Sequence, residues 1–314
     1  GADPPAYYVR QFDLFRTRPL FPASSAVLYP HFGPRALPIV AASAYVLATC
    51  VLFAILLWYA PPWLAALGAF AFATAPPVLG VAGLGLTDAP ALLFWTASLG
   101  GIIAFTRRPS ALALSCVVAA SLLLAFTRPA IFLPVGAALG AWFALRNDPA
   151  RRRAMMALVA ATVGVALVFV AYTALVHGPG LTDQLRWEFD WQRATGDRAA
   201  AGGFASWYGH ALARIAGEAV TYDVYKNGAL LVLVLAALGI AAARRTPLVP
   251  LLIGAACASL IALAVNPVEY VRSVELPLVP VVVILATLAL AVLVRAVHSR
   301  GDASVEEARG LGAP

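Results

Sequence analysis

The side chains able to do chemistry are few, and they lie at the borders of long apolar runs. Asp3 stands in ADPPAYYV, with Tyr7 and Tyr8 just after it and Arg10, Arg16 and Arg18 following. A carboxylate near a low-dielectric region can be tuned as a base, while an acid near a chain end is also commonly just solvated. Asp88 stands in GLGLTDAPALLFW. Thr or Asp at a cap with Pro in the first turn makes a good helix start. The same acid at the mouth of a helix bundle can orient a cation or a hydroxyl. Arg128, in AFTRPAIFLP, and Arg272, in NPVEYVRSVELPLVP, sit close to hydrocarbon. A charge there needs a partner. Asp88, a lipid headgroup or a substrate phosphate would serve Arg128, and Glu269 and Glu275 are local candidates for Arg272. Arginines hold phosphate bidentately.

The elements that position these residues follow from composition. The chain has 314 residues, of which 62% are apolar and 12% charged. Soluble domains run at about 45–50% and 25%. Mean hydropathy is +0.85. A soluble globule cannot hide that much apolar surface, so a soluble enzyme, a disordered chain and a fibrous protein are excluded. The net charge of +7 is carried by residues between apolar runs, so nucleic acid is not implied. Cys50, Cys116 and Cys257 each fall inside an apolar run and suggest neither disulfides nor a metal site.

Runs long enough to cross a bilayer number about nine: residues 36–60, 63–82, 89–106, 110–126, 129–145, 154–176, 228–243, 247–265 and 274–296. They are continuous, not alternating, so strands are not expected. The expected fold is all-α: a polytopic membrane bundle of about nine helices. Small residues near Gly136 and Gly140 suit close helix packing in lipid.

Arginine marks alternate loops: 106–110, 146–153, 243–247 and the tail from Arg295 to Arg309. Short arginine-rich loops stay cytoplasmic. The opposite face then carries residues 1–35, Asp88, Arg128, the stretch 177–227 and Arg272. The organisation that results is an external segment over 1–35 with interfacial helices in AYYVRQFDLF and PASSAVLY, spans over 36–177, an external aromatic-rich segment over 178–227, spans over 228–297, and a cytoplasmic tail over 298–314. A polar external start predicts at least one further membrane helix preceding residue 1.

The stretch 177–227 contains Trp187, Trp191, Trp207, Tyr208, His210, Tyr222 and Tyr225 among Asp, Glu and Arg. Such a mixture suits contact with sugar rings or headgroups; an interfacial aromatic belt has the same composition. His210 has no second histidine at metal-like spacing.

In order and placement, ADPPAYYV, RPLFPASSAVLYPHFG, GLTDAPALLFW, LAFTRPAIFLP and RSVELPLVP together resemble the GT-C superfamily of integral membrane glycosyltransferases. The likeness is greatest to bacterial relatives of protein O-mannosyltransferases and of the lipid A aminoarabinose transferase. It spans nearly the whole chain. It departs from the pattern at Pro4, where relatives often carry a second acid.

The resemblance implies transfer of a hexose or pentose from a polyprenyl-phosphate donor to a glycan, lipid or protein acceptor on the outer face of a bacterial inner membrane. Asp3 would be the catalytic base, Arg16, Arg18, Arg128 and Arg272 the candidates for the donor phosphate, and Asp88 and Tyr7 further site residues. The resemblance assigns no certain cofactor, and Asp3 and Asp88 could share a divalent cation. Two other classes fit a chain of this composition: a secondary transporter or lipid flippase using intramembrane charges, and a non-catalytic membrane relative.

Overall fold

The computed structural model describes residues 16–82, 87–221, 229–265 and 276–310, the last to Val297 with side chains. Asp3, Tyr7, Arg272, Glu269 and Glu275 lie outside the described residues, as do Tyr222 and Tyr225. Every regular element described is helical.

In chain order the helices are α1 (Leu20–Phe32), α2 (Ala36–Leu56), α3 (Pro62–Thr74), α4 (Pro76–Ala82), α5 (Asp88–Arg107), α6 (Ala111–Thr127), α7 (Phe132–Leu145) and α8 (Pro149–Leu175). They continue with α9 (Leu181–Ala194), α10 (Arg198–Ala201), α11 (Phe204–Glu218), α12 (Ala229–Ala243), α13 (Leu248–Val265) and α14 (Leu276–Gly310). A short 3-10 turn, Gly33–Arg35, joins α1 to α2.

Helices form because apolar sequence in lipid must satisfy its backbone polar groups internally. Their starts are written in local chemistry. Asp148 accepts hydrogen bonds from the amides of Ala150 (3.0 Å) and Arg151 (3.3 Å), with Pro149 in the first turn of α8. Ser110 caps α6 by accepting from the Ala113 amide at 3.2 Å.

Four described helical stretches are long and apolar enough to cross a membrane: Leu20–Leu56, Asp88–Arg107, Pro149–Leu175 and Leu276–Val297. A fifth arises if α3 and α4 form one span bent by 63°. The bend has a local cause. Ala75 precedes Pro76 and is driven into extended backbone, with ψ 128°. The runs 110–126, 129–145, 228–243 and 247–265 are also helical, as shorter apolar helices.

The helix expected over PASSAVLY lies within α1. Its apolar residues are not gathered on one face, as an interfacial helix would require, and α1 runs on through the turn into α2 as one 37-residue apolar stretch. The helix expected over AYYVRQFDLF lies outside the described residues. At the other end of the chain, α14 continues as backbone helix to Gly310, through most of the stretch that reads as a tail.

Burial separates the inner helices from the outer ones. The most apolar window of α5 is 72% buried, against 28% for α8. Large apolar side chains such as Phe70, Leu167, Val170 and Leu175 point outward, as suits lipid contact. Cys50, Cys116 and Cys257 are free and exposed on such outer surfaces.

Inside, the seams use small residues. Buried Ser98 on α5 and Ser121 on α6 share a hydrogen bond of 3.0 Å. At Gly140 an added Cβ would collide with the carbonyl of Pro250, and at Gly254 with the carbonyl of Gly136. Thus α7 and α13 approach backbone to backbone, as the small residues around Gly136 and Gly140 suggest. Gly140→Val should therefore lower stability by about 1–3 kcal/mol, read as a drop of several degrees in thermal unfolding in detergent. An unchanged midpoint would disprove the close approach.

Candidate functional site

The site is built on one face of α5. Asp88, Ala91, Leu92 and Trp95 follow the i, i+3, i+4, i+7 spacing that puts side chains in one stripe, and all four line one cavity. Asp88 opens the helix. Thr87 stands at the cap position but makes no side-chain capping bond. The Asp88 carboxylate instead accepts a hydrogen bond from Nη1 of Arg128, which lies just past the end of α6. The pair forms a salt bridge with side-chain exposures of 1% for Asp88 and 11% for Arg128.

A buried ion pair is costly to break because either partner left alone is a desolvated charge. It therefore ties the start of α5 to the end of α6, two helices that also share the Ser98–Ser121 bond. Of the three partners open to Arg128 from sequence, the structure provides Asp88.

The remaining wall comes from Leu124, Ala130, Leu133, Leu276 and Pro277. Trp95 is 2% exposed, and its indole Nε1–H donates to the carbonyl of Pro277 at 3.0 Å. That bond fastens the start of α14 over the site. Arg272 lies outside the described residues, so the structure does not place it relative to the cavity. The cavity holds about 20 Å³, room for roughly one water molecule.

Arg16 and Arg18 belong to the same end of the bundle. The backbone carbonyl of Arg16 accepts a hydrogen bond of 2.9 Å from the hydroxyl of Tyr172, near the end of α8. The Tyr172 ring meets Phe126 edge-on at 5.0 Å, and Phe126 is two residues from Arg128. The Arg16 side chain is exposed and that of Arg18 is half-buried. The structure thus joins Asp88 to Arg128 directly and ties the backbone at Arg16 to the neighbouring helix end.

The segment after α8 forms two amphipathic helices, α9 and α11. Gly196 (φ 87°) and Gly203 (φ 99°) supply the left-handed turns around α10. Phe189, Phe204 and Trp207 cluster with ring centroids 5.5–5.7 Å apart. The Tyr208 hydroxyl donates to the carbonyl of Ala264, docking α11 on the end of α13. His210 donates its Nδ1–H to the Ser206 carbonyl of its own helix at 2.8 Å. Among the described residues there is no group of three or more His, Cys, Asp or Glu placed to share a metal ion.

Sequence reasoning did not identify Trp95 as a site residue. Its signal was present, since it lies seven positions after Asp88 on the same helical face. Nor did it identify a second, larger cavity at the far end of α5. Compared with known protein families, with curated proteins and with solved structures, the chain matches none.

Proposed function

We propose that the chain is a GT-C-type glycosyltransferase that moves a sugar from a polyprenyl-phosphate donor to an acceptor hydroxyl on the non-cytoplasmic side of a bacterial inner membrane. In this reading all nine apolar runs are spans, with the short helices α6, α7, α12 and α13 and the bent α3–α4 pair included. The arginine loops face the cytoplasm.

The observation that carries the reading is the buried Asp88–Arg128 pair beside a cavity at the end of the bundle away from those loops. A guanidinium there costs too much to be kept without a purpose or a partner. The pair holds Arg128 in position beside the cavity, and the planar fork of a guanidinium suits phosphate oxygens.

The chemistry then needs little else. The Asp3 carboxylate takes the proton of the acceptor hydroxyl. The acceptor oxygen bonds to the anomeric carbon as the bond from that carbon to the phosphate oxygen breaks, through an oxocarbenium-like state. Polyprenyl phosphate leaves as a stable anion, so no general acid is needed. Arg16, Arg18, Arg128 and Arg272 stabilise the growing charge, and Asp88 positions Arg128.

Asp3→Ala should abolish transfer and leave thermal unfolding unchanged. The measurement is release of polyprenyl phosphate from a set of polyprenyl-phosphate hexoses and pentoses, in proteoliposomes supplied with a membrane-lipid extract as acceptor. Full turnover by Asp3→Ala removes that residue from the mechanism. Ion-coupled uptake with no sugar released by the wild-type protein would replace the enzyme with a transporter.

A further inference from the structure

The larger cavity, about 580 Å³, opens at the opposite end of α5, within the size range of sites for small amphiphiles. Asp88 and Arg107 begin and end the helix, which separates the two cavities by about 28 Å, close to the thickness of a bilayer's hydrocarbon core. The far cavity gathers the arginine-bearing segments: Arg107 at the end of α5, Arg151 at the start of α8, the turn before α13, and Arg295 on α14. Trp58 and Tyr59 complete its mouth, and among the described residues no acidic side chain lines it.

The guanidinium groups of Arg107 and Arg295 are held in place by neutral partners. Arg107 lies over the rings of Trp58 and Tyr59, 5.5 and 5.4 Å from their centroids. Nη2 of Arg295 donates to the Tyr59 carbonyl at 2.8 Å. Arg151 reaches the Thr106 carbonyl at 3.4 Å through Nη1 and Asp148 at 3.7 Å through Nε. Among the described residues, no carboxylate lies within ion-pair distance of Arg107 or Arg295.

The inner wall is apolar. Leu288, Ala291 and Val292 share the face of α14 that carries Arg295, and Ile103 and Leu251 stand opposite. Cations at the mouth and hydrocarbon below match a molecule with an anionic head and an alkyl tail. Two guanidinium groups held without acids offer paired N–H donors suited to phosphate oxygens, and basic pockets between membrane helices recognise phosphate headgroups.

We propose that this cavity binds the phosphate headgroup of an anionic membrane lipid, with an alkyl chain running along Ile103, Leu251 and Leu288. The site is independent of the glycosyltransferase reading, since it uses none of the same residues.

The test uses the full chain in nanodiscs of phosphatidylcholine containing a minor share of phosphatidic acid or phosphatidylglycerol, with retained lipid read by native mass spectrometry. The wild-type protein should retain both anionic lipids over phosphatidylcholine. Arg107→Gln with Arg295→Gln should lower that retention about thirtyfold. Arg108→Gln, on the same loop but outside the cavity lining, should leave it unchanged. A diazirine-bearing phosphatidic acid should crosslink to Ile103 or Leu288 in the wild-type protein, which tests the site even if the double variant does not fold. Equal retention by wild type and a folded double variant overturns the proposal, as does crosslinking spread evenly over the outer helices. Stabilisation by inorganic phosphate equal to that by phosphatidic acid would assign the site to the free anion instead of a lipid.

Discussion

Asp88→Ala is expected to lower the stability of the bundle by about 3–5 kcal/mol, the usual effect of removing one member of a buried ion pair. The cost comes mainly from what is left behind. The Arg128 side chain is 11% exposed, so its charge would lose the Asp88 carboxylate in a place that water reaches poorly. Arg128→Met should cost a comparable amount, because the Asp88 carboxylate would then be the desolvated charge. The double variant should recover part of the loss, since neither charge remains. Unfolding of all four forms in one detergent measures the coupling. Additive losses would mean that the two side chains do not depend on each other. If Arg128 also meets the donor phosphate, the double variant will be stable enough to assay yet poor in donor affinity. This separates the structural duty of the pair from its proposed chemical one.

Trp95→Ala should have an effect of similar size by a different route. Removing a fully buried large aromatic costs about 3–5 kcal/mol, through lost burial and the cavity it leaves. Trp95→Phe isolates the hydrogen bond to Pro277, worth about 0.5–1.5 kcal/mol. Because that bond holds the first turn of α14 over the Asp88 cavity, Trp95→Phe should weaken donor binding more than it lowers the unfolding midpoint. The comparison is between the binding constant for polyprenyl phosphate and the midpoint of thermal unfolding. Unchanged binding with a lowered midpoint would leave Trp95 a packing residue alone.

Much of the architecture was legible because membrane helices announce themselves. A long apolar run in lipid has one solution for its backbone, so each of the nine runs contains helix, while only four described stretches, or five with the bent pair, are long and apolar enough to cross a membrane. Other features have local causes: Asp148 with Pro149, Ser110, and the proline that bends α3 against α4 are short-range effects, and each needs only its own neighbours. Gly136 and Gly140 announced a close seam, because a missing side chain has few other uses inside an apolar helix.

The site was legible only in its membership. Asp88 and Arg128 could be picked out because a charge beside hydrocarbon is expensive wherever it lies. That they pair is a matter of which helix ends meet. The arginine loops were read for orientation, since their composition says which side they favour. That Arg107, Arg151 and Arg295 surround one cavity with Trp58 and Tyr59 could not be read there, because those residues are brought together from four separate segments.

The sequence by itself determined that this chain is helical, apolar enough for a bilayer, and charged at its helix borders. Those properties follow from the transfer of side chains and backbone between water and hydrocarbon, which each segment undergoes on its own. Only the tertiary structure decided that Asp88 faces Arg128, that Trp95 fastens α14, and that the two ends of α5 open into cavities of opposite character. Such facts depend on how ridges, small residues and buried charges of distant helices fit one another, and no single stretch of chain contains that information.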